Sequence, residues 1–100
     1  MSLRLPDLRA QDALLDPLGL EIMGEKASSL GRAGEKVERA IAALEAHAGD
    51  PENRRRLVAQ AADAVHAYFI QRELCGFRRH HDVIADYRIP RDVLARLGAR

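Results

Sequence analysis

Apolar residues recur every three or four positions along most of the chain, which is the periodicity of a helix with one buried face. The first stripe, in residues 17–48, runs through Leu18, Ile22 or Met23, Ala27, Leu30, Ala33, Val37, Ala40 or Ile41, Leu44 and Ala48. The second, in residues 51–75, runs through Leu57 or Val58, Ala61, Ala64 or Val65, Tyr68, Arg72 and Cys75. The two stripes predict two long amphipathic helices, at about 17–48 and 51–75.

Turn-forming residues mark where these helices end. The run Gly49-Asp50-Pro51 separates the two stripes, with Asp50 suited to cap the second helix and Pro51 to open it. Gly76 predicts the end of the second helix. Shorter helices are predicted at about 7–16, 79–87 and 90–97. The pattern therefore predicts a single helical domain over residues 1–100, with an antiparallel hairpin at its centre.

Small residues interrupt the first stripe, since Gly24, Ser28, Ser29, Gly31 and Gly34 fall within eleven residues. A glycine inside a helix costs about 0.5–1 kcal/mol relative to alanine. We expect that another helix approaches closely at this point. The alternative is a break in the first helix between residues 28 and 34.

Length and composition fit an all-α fold with a long helical hairpin and two short C-terminal helices. One hundred residues suffice for one small domain. Alanine, leucine, arginine and glutamate are abundant, and no strand-length alternation occurs. The chain has no 18-residue apolar run and no signal-peptide core, and its one cysteine suits a reducing compartment. We expect a cytoplasmic protein with no membrane contact.

The length of the first helix predicts a homodimer. A 32-residue helix is about 48 Å long, whereas a compact 100-residue domain is roughly 35 Å across. A two-helix hairpin also leaves half of each stripe exposed to water. Pairing two hairpins into a four-helix bundle is the usual way to bury both apolar stripes.

Charge is divided unevenly although the net charge is only +1. The second half of the chain is basic, and its guanidinium groups suit an acidic protein partner or an anion. The candidate interaction surface comprises Arg72, Arg78, Arg79, His80 and Arg91. No catalytic, cofactor-binding or metal-binding residues are predicted, because the adjacent His80 and His81 point about 100° apart on a helix and no ligand spacing is present.

Residues 83–97 offer an alternative function, because helix, tight turn and arginine-bearing helix resemble the helix-turn-helix of transcription regulators. The turn is about one residue short, Arg88 stands where glycine is usual, and the near-zero net charge disfavours nucleic-acid binding. The favoured interpretation is a helical lid that caps the end of the bundle, formed by Phe77, Val83, Ile84, Tyr87, Val93, Leu94 and Leu97.

A second alternative is a small ligand-binding protein or enzyme with a pocket near Cys75, His80 and Tyr87. A thiol near a histidine is a candidate nucleophile. However, Cys75 lies at the end of a predicted helix, where the dipole opposes thiolate formation. We therefore expect a non-enzymatic protein.

Residues 68–94, YFIQRELCGFRRHHDVIADYRIPRDVL, resemble a family of small uncharacterised all-helical proteins from alphaproteobacteria. The resemblance implies a bacterial, all-helical protein with no known activity, and it supplies no catalytic residues. The leading hypothesis is a cytoplasmic interaction or scaffold protein that self-associates.

Overall fold

The protein is a long helical hairpin with two short helices folded back along it. A computed structural model describes residues 17–47 and 49–98, and this part of the chain contains α1 (Pro17–Ala46), α2 (Pro51–Leu74), α3 (His81–Asp86) and α4 (Arg91–Ala95). The predicted all-α fold class is confirmed, and the described ranges contain no strand. The helix predicted at 7–16 lies outside the described residues.

The ends of α2 follow from its sequence. Asp50 accepts a hydrogen bond from the backbone N–H of Asn53 (3.3 Å), and Pro51 occupies the first turn. At the other end Gly76 adopts a φ of +97°. The N–H of Phe77 then donates to the carbonyl of Arg72 (2.9 Å) and the N–H of Gly76 to that of Glu73 (3.0 Å). These paired bonds form a Schellman motif, which ends the helix.

The same motif ends α3, but an arginine occupies the glycine position. The N–H of Ile89 donates to the carbonyl of Ile84 (3.0 Å), and the N–H of Arg88 donates to that of Ala85 (3.2 Å). Arg88 therefore has a φ of +54°, which costs roughly 1–2 kcal/mol for a residue with a Cβ atom. Burial of Ile89 helps to hold this conformation.

The helix α1 is continuous through residues 28–34, so the predicted alternative of a break is wrong. Gly34 is the point of close approach. A Cβ atom there would lie 3.0 Å from the Tyr87 hydroxyl oxygen and 3.5 Å from Cε1 of Tyr68. At Gly24 and Gly31 a Cβ atom would meet nothing within 4 Å. Close approach therefore explains one of these three glycines.

The core lies between α1, α2 and the C-terminal segment. Its buried apolar residues are Val37, Ile41, Leu44, Leu57, Val58, Ala61, Ala62, Val65, Tyr68, Val83, Ile89 and Val93. The alanines of α2 are small enough to let α1 pack close against it. This core follows both stripes over most of the length of α2.

The C-terminal segment runs back along the side of the hairpin. Asp82 contacts Arg72 near the C-terminal end of α2. Asp92 pairs with Arg54, which is the fourth residue of α2. Those arginines lie about 27 Å apart along the helix. The prediction of a lid across the end of the bundle is therefore wrong, because the apolar stripe of α2 extends along the helix and Val83, Ile89 and Val93 cover it. Phe77, predicted to belong to that lid, is 49% exposed.

The first turns of α1 extend beyond the end of α2. Residues Ser29, Ala33 and Lys36 share a groove with Ala64, Ala67 and Gln71, so in the antiparallel register Leu74 lies level with residue 26. Residues 17–26, here called the projecting end, therefore continue for about three turns past α2. The described part measures 57 × 26 × 25 Å. No helix in that part combines the length and apolarity needed to cross a membrane.

Candidate interaction surfaces

Arg72 is the buried centre of the loop that follows α2. Its side chain is on the buried stripe of α2 and only 6% of the residue is exposed. Its Nε donates to Nδ1 of His80 (3.1 Å), and its Nη2 donates to the carbonyl of Arg79 (2.9 Å) and to Oδ1 of Asp82 (3.4 Å). The guanidinium also lies 4.8 Å from the ring centre of Phe77. Arg72 therefore anchors the loop to the hairpin.

His80 completes this network. An arginine N–H can only donate, so Nδ1 of His80 accepts and Nε2 carries the proton. Nε2 then donates to Oε2 of Glu73 at 3.0 Å. The imidazole also stacks on Phe69, with ring centres 4.2 Å apart and planes inclined by 5°. These contacts give His80 a structural position between α2 and the loop that follows it.

The five residues of the predicted interaction surface do not form one surface. Arg72 and His80 bond within the molecule, whereas Arg78 and Arg79 are exposed. The two exposed arginines line a pocket of about 430 Å³, to which Arg72, Phe77 and Asp82 also contribute. Arg91 is exposed beside Asp92, near the opposite end of α2. Arg78 and Arg79 are thus the members that remain together and accessible, and their binding role stays a prediction.

Tyr87 packs between α1 and α2. Its ring meets that of Tyr68 edge to face, with centres 5.7 Å apart. Burial, then the hydrogen bond and charge of Tyr68, then the carboxylates of Glu38 and Asp86 raise the pKa of Tyr87 to about 12. The hydroxyl therefore stays protonated at neutral pH and is a poor general base.

The alternative pocket near Cys75, His80 and Tyr87 would need these side chains to face a common space. Cys75 is half-buried after the last turn of α2, His80 stacks on Phe69, and Tyr87 lies against Tyr68 and Gly34.

Over the described ranges, no three His, Cys, Asp or Glu side chains gather where they could hold a metal ion.

The segment compared with a helix-turn-helix is packed on the hairpin. Its second helix, α4, has five residues. Val93 in that helix is fully buried, and Asp92 accepts two hydrogen bonds from Arg54. A recognition helix must enter a groove of DNA with one face free, whereas α4 directs its central residue into the core.

Sequence analysis missed a surface on α1 that faces away from the core. A shallow groove of about 630 Å³ is lined there by Glu21, Gly24, Glu25, Ser28, Ser29 and Arg32. The groove exists because small residues leave a gap along about three turns of an exposed helix. The signal was present in the sequence, since Gly24, Ser28 and Gly31 recur at spacings of four and three.

Comparison with known proteins identifies a family for this chain. The model of a family of unknown function, DUF6665, matches residues 1–100. The chain belongs to this family. No curated protein matches the chain, and no solved structure does. Membership confirms the predicted relationship to a family without known activity, and the bacterial origin stays a prediction.

Proposed function

We propose that the protein is a non-enzymatic cytoplasmic interaction protein that self-associates as a homodimer through the projecting end of α1. One observation carries the proposal: four bulky apolar residues of the projecting end are exposed beyond the end of α2. Leu18 is 66% exposed, Leu20 56%, Ile22 45% and Met23 47%.

Leu18, Ile22 and Met23 continue the stripe that is buried farther along α1, and Leu20 lies beside Met23 at the edge of that stripe. Isolated apolar residues are common on protein surfaces, but a contiguous apolar patch marks an interaction site. A helix in a protein owes most of its stability to packing of its apolar face against a neighbour. Residues 17–26 extend past α2, so α2 cannot supply that packing. A second copy of the chain would supply that packing without any other component.

The basic loop at the same end of the molecule is the second part of the proposal. Arg78 and Arg79 lie in the loop after α2, near the level of the projecting end, and both are exposed. Guanidinium groups bind carboxylates and phosphates with two parallel hydrogen bonds. We assign these two arginines to an acidic protein partner or an anion, which the dimer would bind beside its interface.

Solution mass across a dilution series tests the self-association. Light scattering after size exclusion should give twice the chain mass of 11.1 kDa at micromolar concentration. The double variant Leu20→Gln/Met23→Gln should be monomeric at the same concentration. Its helix content and melting temperature at high dilution should match those of the parent, because both side chains are exposed.

The matched control is Ile70→Gln/Leu74→Gln, which changes two exposed apolar residues of α2 and should leave the dimer intact. A mass of 11.1 kDa at every concentration would overturn the proposal. Loss of the dimer in the control but not in the Leu20→Gln/Met23→Gln variant would show that the interface lies on α2 instead.

A further inference from the structure

A pocket lies between the first turns of α2 and α4, at the end of α2 opposite to the basic loop. Its volume is about 450 Å³, and sites for small molecules usually measure about 300–1,000 Å³. Pro51, Val58 and Ala95 supply apolar surface to its wall. The pocket is therefore large enough for a small organic molecule and offers contacts to an apolar part of it.

The ion pair between Arg54 and Asp92 joins the two helices that form this pocket. Nε and Nη2 of Arg54 donate to Oδ2 of Asp92 at 3.2 and 3.0 Å, and both side chains line the pocket. Val93, the next residue of α4, is fully buried in the core. These contacts hold the walls in place before any ligand binds, which lowers the entropy cost of binding.

Two further arginines line the same pocket. Arg55 belongs to α2 and Arg96 is the C-cap of α4, and both are exposed. Within the described ranges, neither guanidinium pairs with a carboxylate. Acidic neighbours do not cancel their charge, since residues 50–58 and 90–97 together carry five arginines and three acids, a net charge of +2. An anionic group in the pocket would therefore gain charge-assisted hydrogen bonds from these two side chains.

We propose that this pocket binds a small organic acid with an apolar chain. The chain contacts Pro51, Val58 and Ala95, and its carboxylate accepts hydrogen bonds from the guanidinium groups. A neutral apolar molecule would gain only the first set of contacts, and a small anion only the second. The site goes beyond the proposed self-association and is independent of it, because the pocket lies at the start of α2 and the projecting end lies beyond its last residue.

Octanoate is the probe, and 1-octanol and acetate are its uncharged and chain-free counterparts. Titration followed by amide chemical shifts should give saturable changes confined to residues 52–58 and 92–96. The dissociation constant for octanoate should lie below about 1 mM. Octanol and acetate should each bind at least about tenfold more weakly, because each offers only one of the two kinds of contact.

Two variants remove the two kinds of contact separately. Arg55→Gln/Arg96→Gln should weaken octanoate binding at least about tenfold, because the carboxylate loses its charged donors. Ala95→Leu should weaken it by a similar factor, because the larger side chain fills the apolar part of the pocket. Both variants should fold normally, since all three altered residues are exposed.

The matched control is Arg56→Gln, which removes one exposed arginine from the same turn of α2. The Arg56 side chain bonds to Asn53 and lies outside the pocket, so the control should bind octanoate as the parent does. An equal loss of affinity in this control and in Arg55→Gln/Arg96→Gln would overturn the site, because binding would then follow overall charge.

Three other results would overturn the proposal. The first is the absence of saturable octanoate binding up to about 10 mM. The second is binding that neither Arg55→Gln/Arg96→Gln nor Ala95→Leu weakens. The third is equal affinity for octanol and octanoate, which would show that the arginines do not recognise the ligand. None of these results concerns the dimer, which the measurements of solution mass test separately.

Discussion

The two parts of α1 have the same apolar periodicity but different surroundings. In residues 33–44 the stripe packs against α2 and the C-terminal segment, so Val37 is fully buried and Leu44 is 1% exposed. In the projecting end the same stripe continues with Ile22 and Met23 about half exposed. Periodicity thus shows which face of a helix can be buried. The bulky apolar residues of that face are buried where α2 and the C-terminal segment lie against it and are exposed in the projecting end, where only Gly19 is buried.

Truncation of one leucine in each part should give the largest contrast. Leu44→Ala should lower the free energy of unfolding by about 3 kcal/mol, because it opens a cavity in the core. Leu20→Ala should change it by less than about 0.5 kcal/mol when measured on the monomer. Urea denaturation at high dilution measures both. Equal effects would mean that the projecting end is as well packed as the core.

Arg72→Ala should lower the free energy of unfolding by about 2 kcal/mol, because it removes a buried side chain that donates hydrogen bonds to His80, Arg79 and Asp82. The control Arg78→Ala, an exposed arginine in the same loop, should cost less than about 0.5 kcal/mol. Hydrogen exchange should show faster exchange in residues 76–80 of Arg72→Ala only. Unchanged protection of the loop would contradict the anchoring role of Arg72.

Two glycines of α1 should respond in opposite directions. Gly34→Ala should cost about 1–2 kcal/mol, because its methyl group would meet the Tyr87 hydroxyl. Gly31→Ala should stabilise the monomer by up to about 1 kcal/mol, because it meets no neighbour and alanine favours the helix. Melting temperatures of dilute samples compare the two. Stabilisation by both substitutions would show that α1 and Tyr87 are not closely packed.

The hairpin was predictable because its determinants are local. Asp50 and Pro51 open α2, Gly76 ends it, and the two stripes define the faces that meet. Close approach at Gly34 was also anticipated. Two predictions from the sequence conflicted at Arg72, which was assigned both to the buried stripe of α2 and to the interaction surface. The structure shows that its guanidinium bonds to residues 79, 80 and 82 of the same chain, and this contact depends on how that loop packs.

The path of the C-terminal segment was not predictable from periodicity. Its apolar residues could be buried either against the end of the hairpin or along its side. Which of the two occurs depends on contacts between distant parts of the chain, such as the ion pair between Arg54 and Asp92. The outer face of α1 was overlooked for a related reason. Small residues on a helix indicate where a neighbour can pack closely, but their spacing does not show whether such a neighbour exists, and a Cβ atom at Gly24 or Gly31 would meet nothing within 4 Å.

Arg88→Gly should stabilise the protein by at most about 1 kcal/mol. Glycine adopts a positive φ without strain, but it also loses more backbone entropy on folding. Gly76→Ala at the equivalent position of the other Schellman motif should destabilise by a similar amount. Chemical denaturation of the two variants measures the difference. Destabilisation by Arg88→Gly would show that the arginine side chain contributes more than its backbone strain costs.

Tyr87 should have no effect on the pH dependence of stability near neutrality and a measurable one in strong alkali. Its pKa is raised to about 12 in the folded protein, whereas a tyrosine in an unfolded chain ionises near 10. The unfolded state therefore loses this proton first, so stability should fall as the pH rises from about 10 towards 12. Denaturation midpoints should show a shallower decline for Tyr87→Phe. Equal slopes would contradict the raised pKa.

The network around Arg72 also has a kinetic consequence. The guanidinium bonds to Arg79, His80 and Asp82, and His80 bonds to Glu73. All four residues lie within ten positions of Arg72 along the chain, and loops of about ten residues close in roughly 10–100 ns. The turn that redirects the chain can therefore form as soon as the last turns of α2 do, before α1 docks. The turn would then direct the C-terminal segment back along α2 before the core forms. This reduces the number of arrangements that the segment samples during folding.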